Sequence, residues 1–200
     1  MKSIARYLIL LLKLPGFLFA KAYNFILLKS VDVNYITYPI ITGKLNIKGT
    51  GKIKFGSYVV VNSSLNTNPV GLVTQTILFA YQNSEIIIGN NVGISNSLLC
   101  AMQQIIIEDD VLLGGGTQIL DNDFHSIFYK QRIEKPDTNI KIKPVCIKKG
   151  AFIGCNSIIG KGIIVGERSI VAAGSVVVKN IPDDEIWGGN PAVFIKKIEN

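Results

Sequence analysis

His125 is the only histidine in the chain. An imidazole, with an ordinary pKa near 6.5, can accept a proton close to neutral pH. It follows Asp121-Asn122-Asp123-Phe124 and opens a stretch carrying Lys130, Arg132, Lys135, Lys141 and Lys143. Asp121 or Asp123 could fix the imidazole tautomer, but an aspartate capping a chain corner has the same look in sequence. On residue type alone, a lone histidine is open between a surface residue, a packed residue and a general base. Cys100, Cys146 and Cys155 are odd in number and widely spaced, with no Cys-x-x-Cys pair. They form no disulfide framework, and the setting reads as reducing and cytoplasmic. One histidine cannot build a three-histidine zinc site, so no metal is expected.

The elements that would position these groups are legible from a period of six. Ile147, Ile153, Ile159, Val165, Val171 and Val177 stand six residues apart without a gap. Ala151, Ser157, Ile163, Ser169, Ser175 and Ile181 follow four residues after each anchor. Gly154, Gly160, Gly166 and Ala172 come directly after four of them. Six fits neither a helix nor a simple strand. It fits a parallel β-helix in which each hexapeptide supplies one flat face and a corner. The aliphatic anchor points inward, and glycine permits the corner backbone. Earlier runs show the same register at Ile41, Ile47, Ile53 and Val59, then at Ile88, Ile94 and Cys100. The register resumes out of phase at Ile107, Leu113 and Ile119. Three hexads make one triangular coil, so residues 147–182 supply two coils. No coil can stand alone, because neighbours must share hydrogen bonds and core contacts. Residues 65–84 read as a loop or irregular coil, and 125–146 as an inserted loop that leaves a corner.

Charge is concentrated at one end. Lys2, Arg6, Lys13, Lys21 and Lys29 precede the first acid, Asp32, leaving 16 of the 21 basic residues against all 14 acids. The body is near neutral, with no basic stripe, so nucleic-acid binding is not expected. Residues 3–29 are strongly apolar, with Pro15-Gly16 inside. Lys13, Pro15 and Lys21 interrupt any spanning helix. Ala20-Lys21-Ala22 weakly mimics a signal cleavage site, but Lys13 falls in the would-be apolar core. The segment reads as a pair of interfacial helices touching a membrane surface. The competing reading packs it on the body or on a neighbouring subunit.

Four segments run in one order: Pro144-Val145-Cys146-Ile147, Ala151-Phe152-Ile153-Gly154, Val171-Ala172-Ala173-Gly174-Ser175-Val176-Val177 and Gly189-Asn190-Pro191-Ala192. Together with Asp123-Phe124-His125 they resemble the hexapeptide-repeat acyltransferases, in the maltose, galactoside and polysaccharide O-acetyltransferase branch. The likeness covers residues 84–197 well and 40–64 by period alone. It implies an all-β, left-handed parallel β-helix over 31–182, with the loop inserted over 125–146. Residues 1–30 would then be a helical segment and 183–200 a C-terminal cap. It further implies a homotrimer with sites between subunits, acetyl-CoA as co-substrate and a sugar or glycan acceptor. His125 takes the place of the catalytic base. Phe152, Gly154, Cys155, Ala173, Gly174, Val178, Lys179 and Lys196 fall at CoA-binding positions; Ser95, Asn96 and Asp123 are candidates for the acceptor side. Val178 stands where threonine is common, and Val193 where a basic residue often follows, so two polar CoA contacts are in doubt. Corner roles for Ser95, Asn96 and Cys155, and solvated lysines at 179 and 196, remain the plain alternatives. The rival functions are N-acetylation of an amino-sugar nucleotide and a non-catalytic scaffold at the membrane.

Overall fold

The computed structural model describes residues 2–31, 33–64, 68, 70, 75–134 and 136–199, with side chains from residue 15 onward. Short strands stack into three parallel sheets, the faces of a left-handed triangular prism. The first face runs β1 (Val33–Tyr35), β4 (Lys52–Phe55), β7 (Glu85–Ile88), β10 (Gln104–Ile107), β13 (Val145–Ile147) and β16 (Ile164–Val165). The second runs β2 (Ile40–Gly43), β5 (Val60–Ser63), β8 (Gly93–Ser95), β11 (Leu112–Leu113), β14 (Phe152–Ile153) and β17 (Ile170–Val171). It continues into β19 (Glu185–Gly189) and the antiparallel edge strand β20 (Ala192–Lys197). The third runs β3 (Asn46–Gly49), β6 (Ile77–Ala80), β9 (Leu98–Ala101), β12 (Gln118–Leu120), β15 (Ile158–Ile159) and β18 (Val176–Val177).

Stacking one anchor on the next builds the core. On the second face Ile41, Val61, Ile94, Leu113, Ile153 and Val171 form a continuous buried ladder. The six anchors from Ile147 to Val177 lie on the three faces in turn, twice round, as the period requires. Two of the earlier runs differ from the sequence reading. Ile53 is a buried strand residue of β4 stacked on Ile86, and Val59 is a buried corner residue just before β5; the positions in line with the later anchors on the first and second faces are Phe55 and Val61. The chain takes two extra residues at the corner around Gly49, which shifts the phase. On β9 the ladder residue is Leu99, stacked between Leu78 and Ile119, and Cys100 is its buried neighbour. The loop expected over 65–84 also contains a strand, β6, paired with β3 and β9. Residues 65–67, 69 and 71–74 of that stretch, like Lys135, lie outside the described residues.

The glycines after the anchors act differently from expectation. Left-handed backbone falls three residues after five of the six anchors, at Gly150, Asn156, Gly162, Arg168 and Gly174. Gly154 is needed for close approach: a Cβ there would lie 2.5 Å from the Ala173 nitrogen and 2.7 Å from the Val171 oxygen. Corner hydroxyls are buried and satisfied by carbonyls of the same or the next coil. Ser157 Oγ donates to the Ala172 carbonyl at 3.0 Å, and Thr117 Oγ1 to that of Gly114 at 2.8 Å.

The N-terminal segment is one continuous helix, α1 (Lys2–Ser30), with Pro15 inside it, not a pair broken at Pro15-Gly16. A proline removes one backbone donor, and here the turns on either side carry on through it. Ala20, Asn24 and Leu28, four residues apart, are buried on the first coil. Asn24 Nδ2 donates to the Gly43 carbonyl at 2.8 Å, and its Oδ1 accepts from the Leu45 amide at 3.0 Å. Among the described residues no helix is long and apolar enough to cross a membrane.

Candidate functional site

The second face carries an open groove of about 520 Å³ across β8, β11, β14 and β17. Its walls include Ser95, Phe152, Gly154, Cys155 and Ala173, five of the residues singled out from sequence. They converge because equivalent hexad positions stack one coil above another at about 4.8 Å per strand. The floor is small-residue backbone, and Gly154 keeps two coils in close contact beneath it. Phe152 is exposed beside Leu112 and Ile170, its ladder neighbours. A long, thin and largely apolar ligand arm fits such a channel better than a compact one. Gly174 adjoins the groove at a corner with φ +71°, and no heavy atom stands where its Cβ would be.

Polar groups gather at one wall. Asn62 Nδ2 donates to Ser95 Oγ at 3.2 Å, and Asn62 and Asn68 both line the groove. Asn96 does not; it is buried, in left-handed backbone, and its Nδ2 donates to the Asn68 carbonyl at 2.9 Å. Its side chain therefore holds the neighbouring loop while Ser95 faces the groove. Asn62 and Asn68 were not picked out in sequence, where each is one asparagine in a region read by period or as a loop. Val178 and Lys179 are exposed just beyond β18 of the third face, and Lys196 is exposed on β20. None of these three lines the groove.

His125 stands apart from this channel. It begins the arm that leaves the prism after β12, on the third face. The arm turns back through paired backbone at Asn122 and Ile142, and carries the short helix α2 (Tyr129–Ile133). Phe124 is in left-handed backbone, with its amide held by Asn122 Oδ1 at 2.9 Å. The partner of the imidazole is neither Asp121 nor Asp123. Asp137, from the returning limb of the arm, sits with Oδ2 2.8 Å from His125 Nδ1 and also faces the Ser126 amide. Asp121 is a buried corner cap that accepts the Met102, Gln103 and Gln104 amides at 2.7–2.9 Å. Asp123 pairs with Lys161 at 2.5 Å. Asp137 had one sequence signal: with Glu134 it is one of two acids within 125–146.

This arrangement leaves the far side of the ring, Nε2, facing outward on a side chain that is 68% exposed. A carboxylate at Nδ1 favours the tautomer with the ring proton there, which would leave the Nε2 lone pair available. Burial pushes the Cys100 and Cys146 thiols up, which keeps them protonated and unreactive. Among the described residues no three His, Cys, Asp or Glu side chains cluster as a metal site would require.

Residues 144–179 match the hexapeptide repeat of succinyl-transferase. The mitochondrial gamma carbonic anhydrase 2 of Arabidopsis thaliana is 30% identical over 109 residues, covering 45% of this chain and 37% of the relative. The chain thus spans little more than a third of that curated relative's length, and with one histidine it offers no three-histidine zinc site. Among solved structures, a variant of AntD, an N-acyltransferase from Bacillus cereus, was crystallised with dTDP and coenzyme A. It superposes with a TM-score of 0.67 at 24% identity, over 86% of this chain and 88% of that one. That likeness is one of fold. A hexapeptide-repeat-containing acetyltransferase of Vibrio cholerae O1 biovar eltor, in complex with acetyl coenzyme A, matches at 32% identity and a TM-score of 0.52. It covers 60% of this chain and 62% of that one. Repeat, fold and this likeness point together to the hexapeptide-repeat acyltransferases.

Proposed function

We propose that this hexapeptide-repeat protein transfers an acetyl group from acetyl-CoA to a hydroxyl of a sugar or polysaccharide precursor. The observation that carries the reading is the groove on the second face, where Ser95, Phe152, Gly154, Cys155 and Ala173 meet. The 32% identity to an acetyltransferase complexed with acetyl coenzyme A supports it. Acetyl-CoA supplies the activated thioester. Phe152, Cys155 and Ala173 line the path of its pantetheine arm, with Gly154 and Gly174 keeping the backbone open. Val178, Lys179 and Lys196 lie toward the C-terminal end of the prism, where the lysines would meet the nucleotide phosphates.

His125 Nε2 takes the proton of the acceptor hydroxyl as its oxygen bonds to the acetyl carbon. The same proton then goes to the departing thiolate, so the imidazole ends neutral and the products are an acetyl ester and free CoA. Asp137 is the positioning residue for the ring, and it stabilises the imidazolium formed in between. Within one chain the groove and His125 belong to different faces, so the site is proposed to form where His125 of one copy meets the groove of the next, in a homotrimer. Ser95, with Asn62 and Asn68 beside it, offers hydrogen bonds to acceptor hydroxyls, and the Asp123–Lys161 pair fixes the root of the arm.

A second reading is transfer to the amine of an amino-sugar nucleotide. A variant of AntD has been crystallised with dTDP-4-amino-4,6-dideoxyglucose and coenzyme A, and its fold matches along most of this chain. One assay set separates the readings. Calorimetry with CoA is expected to show saturable binding that Ala173→Glu, an exposed groove position, abolishes. Turnover of acetyl-CoA with sugars that carry hydroxyls and no amine, but not with amino-sugar nucleotides, supports O-transfer; the reverse supports N-transfer. No CoA binding at all would leave the scaffold reading.

A further inference from the structure

We propose that the outward face of α1 docks on the surface of an anionic lipid bilayer, lying along it and not crossing it. The inference is independent of the acetyl-transfer reading. The helix is committed on one side: Ala20, Asn24 and Leu28 are buried against the first coil, and Asn24 latches both Gly43 and Leu45. At 3.6 residues per turn, Leu18, Ala22 and Ile26 stand roughly 200° away from that stripe. They face outward, and Leu18 and Ile26 are 55% and 65% exposed. Phe19 and Phe25 widen this exposed apolar strip on either side. A globular surface seldom carries so many exposed large apolar side chains in one place without a partner.

Charge identifies the partner. Lys21 Nζ lies 4.6 Å from the ring centre of Phe17, and Lys29 Nζ 4.5 Å from that of Phe25. Lys44, from the prism, lies over Phe19 at 4.5 Å. Cations thus fringe an apolar surface, and the sequence places five basic residues and no acid before Asp32. A second copy of the same face would set these cations against like charge. An anionic headgroup layer offers complementary charge, with acyl chains below it for the aromatic strip. Beside the strip, Phe17, Lys21, Phe25, Tyr38 and Ile40 border an open apolar groove of about 610 Å³, large enough for lipid acyl carbons to enter. The helix meets the prism through its other face, so bilayer contact requires no undocking.

The test is flotation of the full chain with vesicles. Phosphatidylcholine vesicles containing about one-third phosphatidylglycerol are compared with phosphatidylcholine alone, at low and high salt. The expected result is binding to the anionic vesicles, weakened by salt. Leu18→Ser/Ile26→Ser and Lys21→Glu/Lys29→Glu are each expected to lower the partition by about tenfold or more. Circular dichroism and melting of each variant confirm that the prism is intact. Equal binding to neutral vesicles, or binding unchanged in folded variants, overturns the proposal. So does vesicle-independent self-association that Leu18→Ser/Ile26→Ser abolishes, since a second copy would then cover the face.

Discussion

Replacing Asp121 with alanine should cost stability out of proportion to its size. Its carboxylate is fully buried and accepts three successive backbone amides, Met102 at 2.8 Å, Gln103 at 2.7 Å and Gln104 at 2.9 Å. Asn122 Nδ2 adds a fourth contact at 3.0 Å. A buried donor left unsatisfied costs about 1–3 kcal/mol. The three amides set an upper bound of roughly 9 kcal/mol, but Gln103 is exposed and water can reach part of the vacated corner. A loss of about 2–4 kcal/mol is therefore expected for Asp121→Ala, and about half that for Asp121→Asn, which keeps one acceptor oxygen. Urea unfolding followed by circular dichroism, at fixed protein concentration, measures it. A change below about 0.5 kcal/mol for Asp121→Ala, the size of an ordinary surface substitution, would refute the corner-cap assignment.

Three further outcomes follow from the geometry. Asp137→Asn should lower kcat about tenfold or more with CoA affinity unchanged, because the amide no longer fixes Nδ1–H; equal kcat would mean that the 2.8 Å contact does not orient the ring. Gly154→Ala should lower the melting temperature measurably, since the new methyl would meet backbone at 2.5 Å; an unchanged melt would show that the two coils can part at no cost. Stability should fall on acidification: hydrogen bonds from Gln104 and then Lys54 hold Glu85 below the ordinary carboxylate range, and Asn90 holds Asp109 there. Both carboxylates are protonated more readily in the unfolded chain. Their contribution is therefore complete above about pH 5 and is lost as the pH falls through their folded-state values, so melting temperatures unchanged down to about pH 3 would contradict the contacts.

The prism was legible because its rule is local. An inward aliphatic every six residues needs no long-range information, and the run from Ile147 to Val177 winds as the spacing dictates. Legibility failed where a corner changed length. Two extra residues at Gly49 moved the positions aligned with the later anchors from Ile53 and Val59 to Phe55 and Val61, while Ile53 stayed buried within β4 and Val59 at the corner before β5. The groove was legible in part, since Phe152, Gly154, Cys155 and Ala173 converge by stacking of equivalent positions. Asn62 and Asn68 reach it from a coil that the period marked only weakly. Asp137 was hidden for another reason: its contact with His125 depends on how an irregular arm folds back, and no repeat encodes that. The helix was misread at Pro15 because a proline signals a break in isolation but was carried through here.

Single-turnover transfer from acetyl-CoA, with CoA affinity determined in parallel for wild type and His125→Ala, tests the central claim most directly. A loss of about 10²–10⁴ in the transfer rate with CoA affinity within about twofold is predicted, the range expected for removing a general base. Undiminished transfer by His125→Ala, with CoA still bound, would contradict the account.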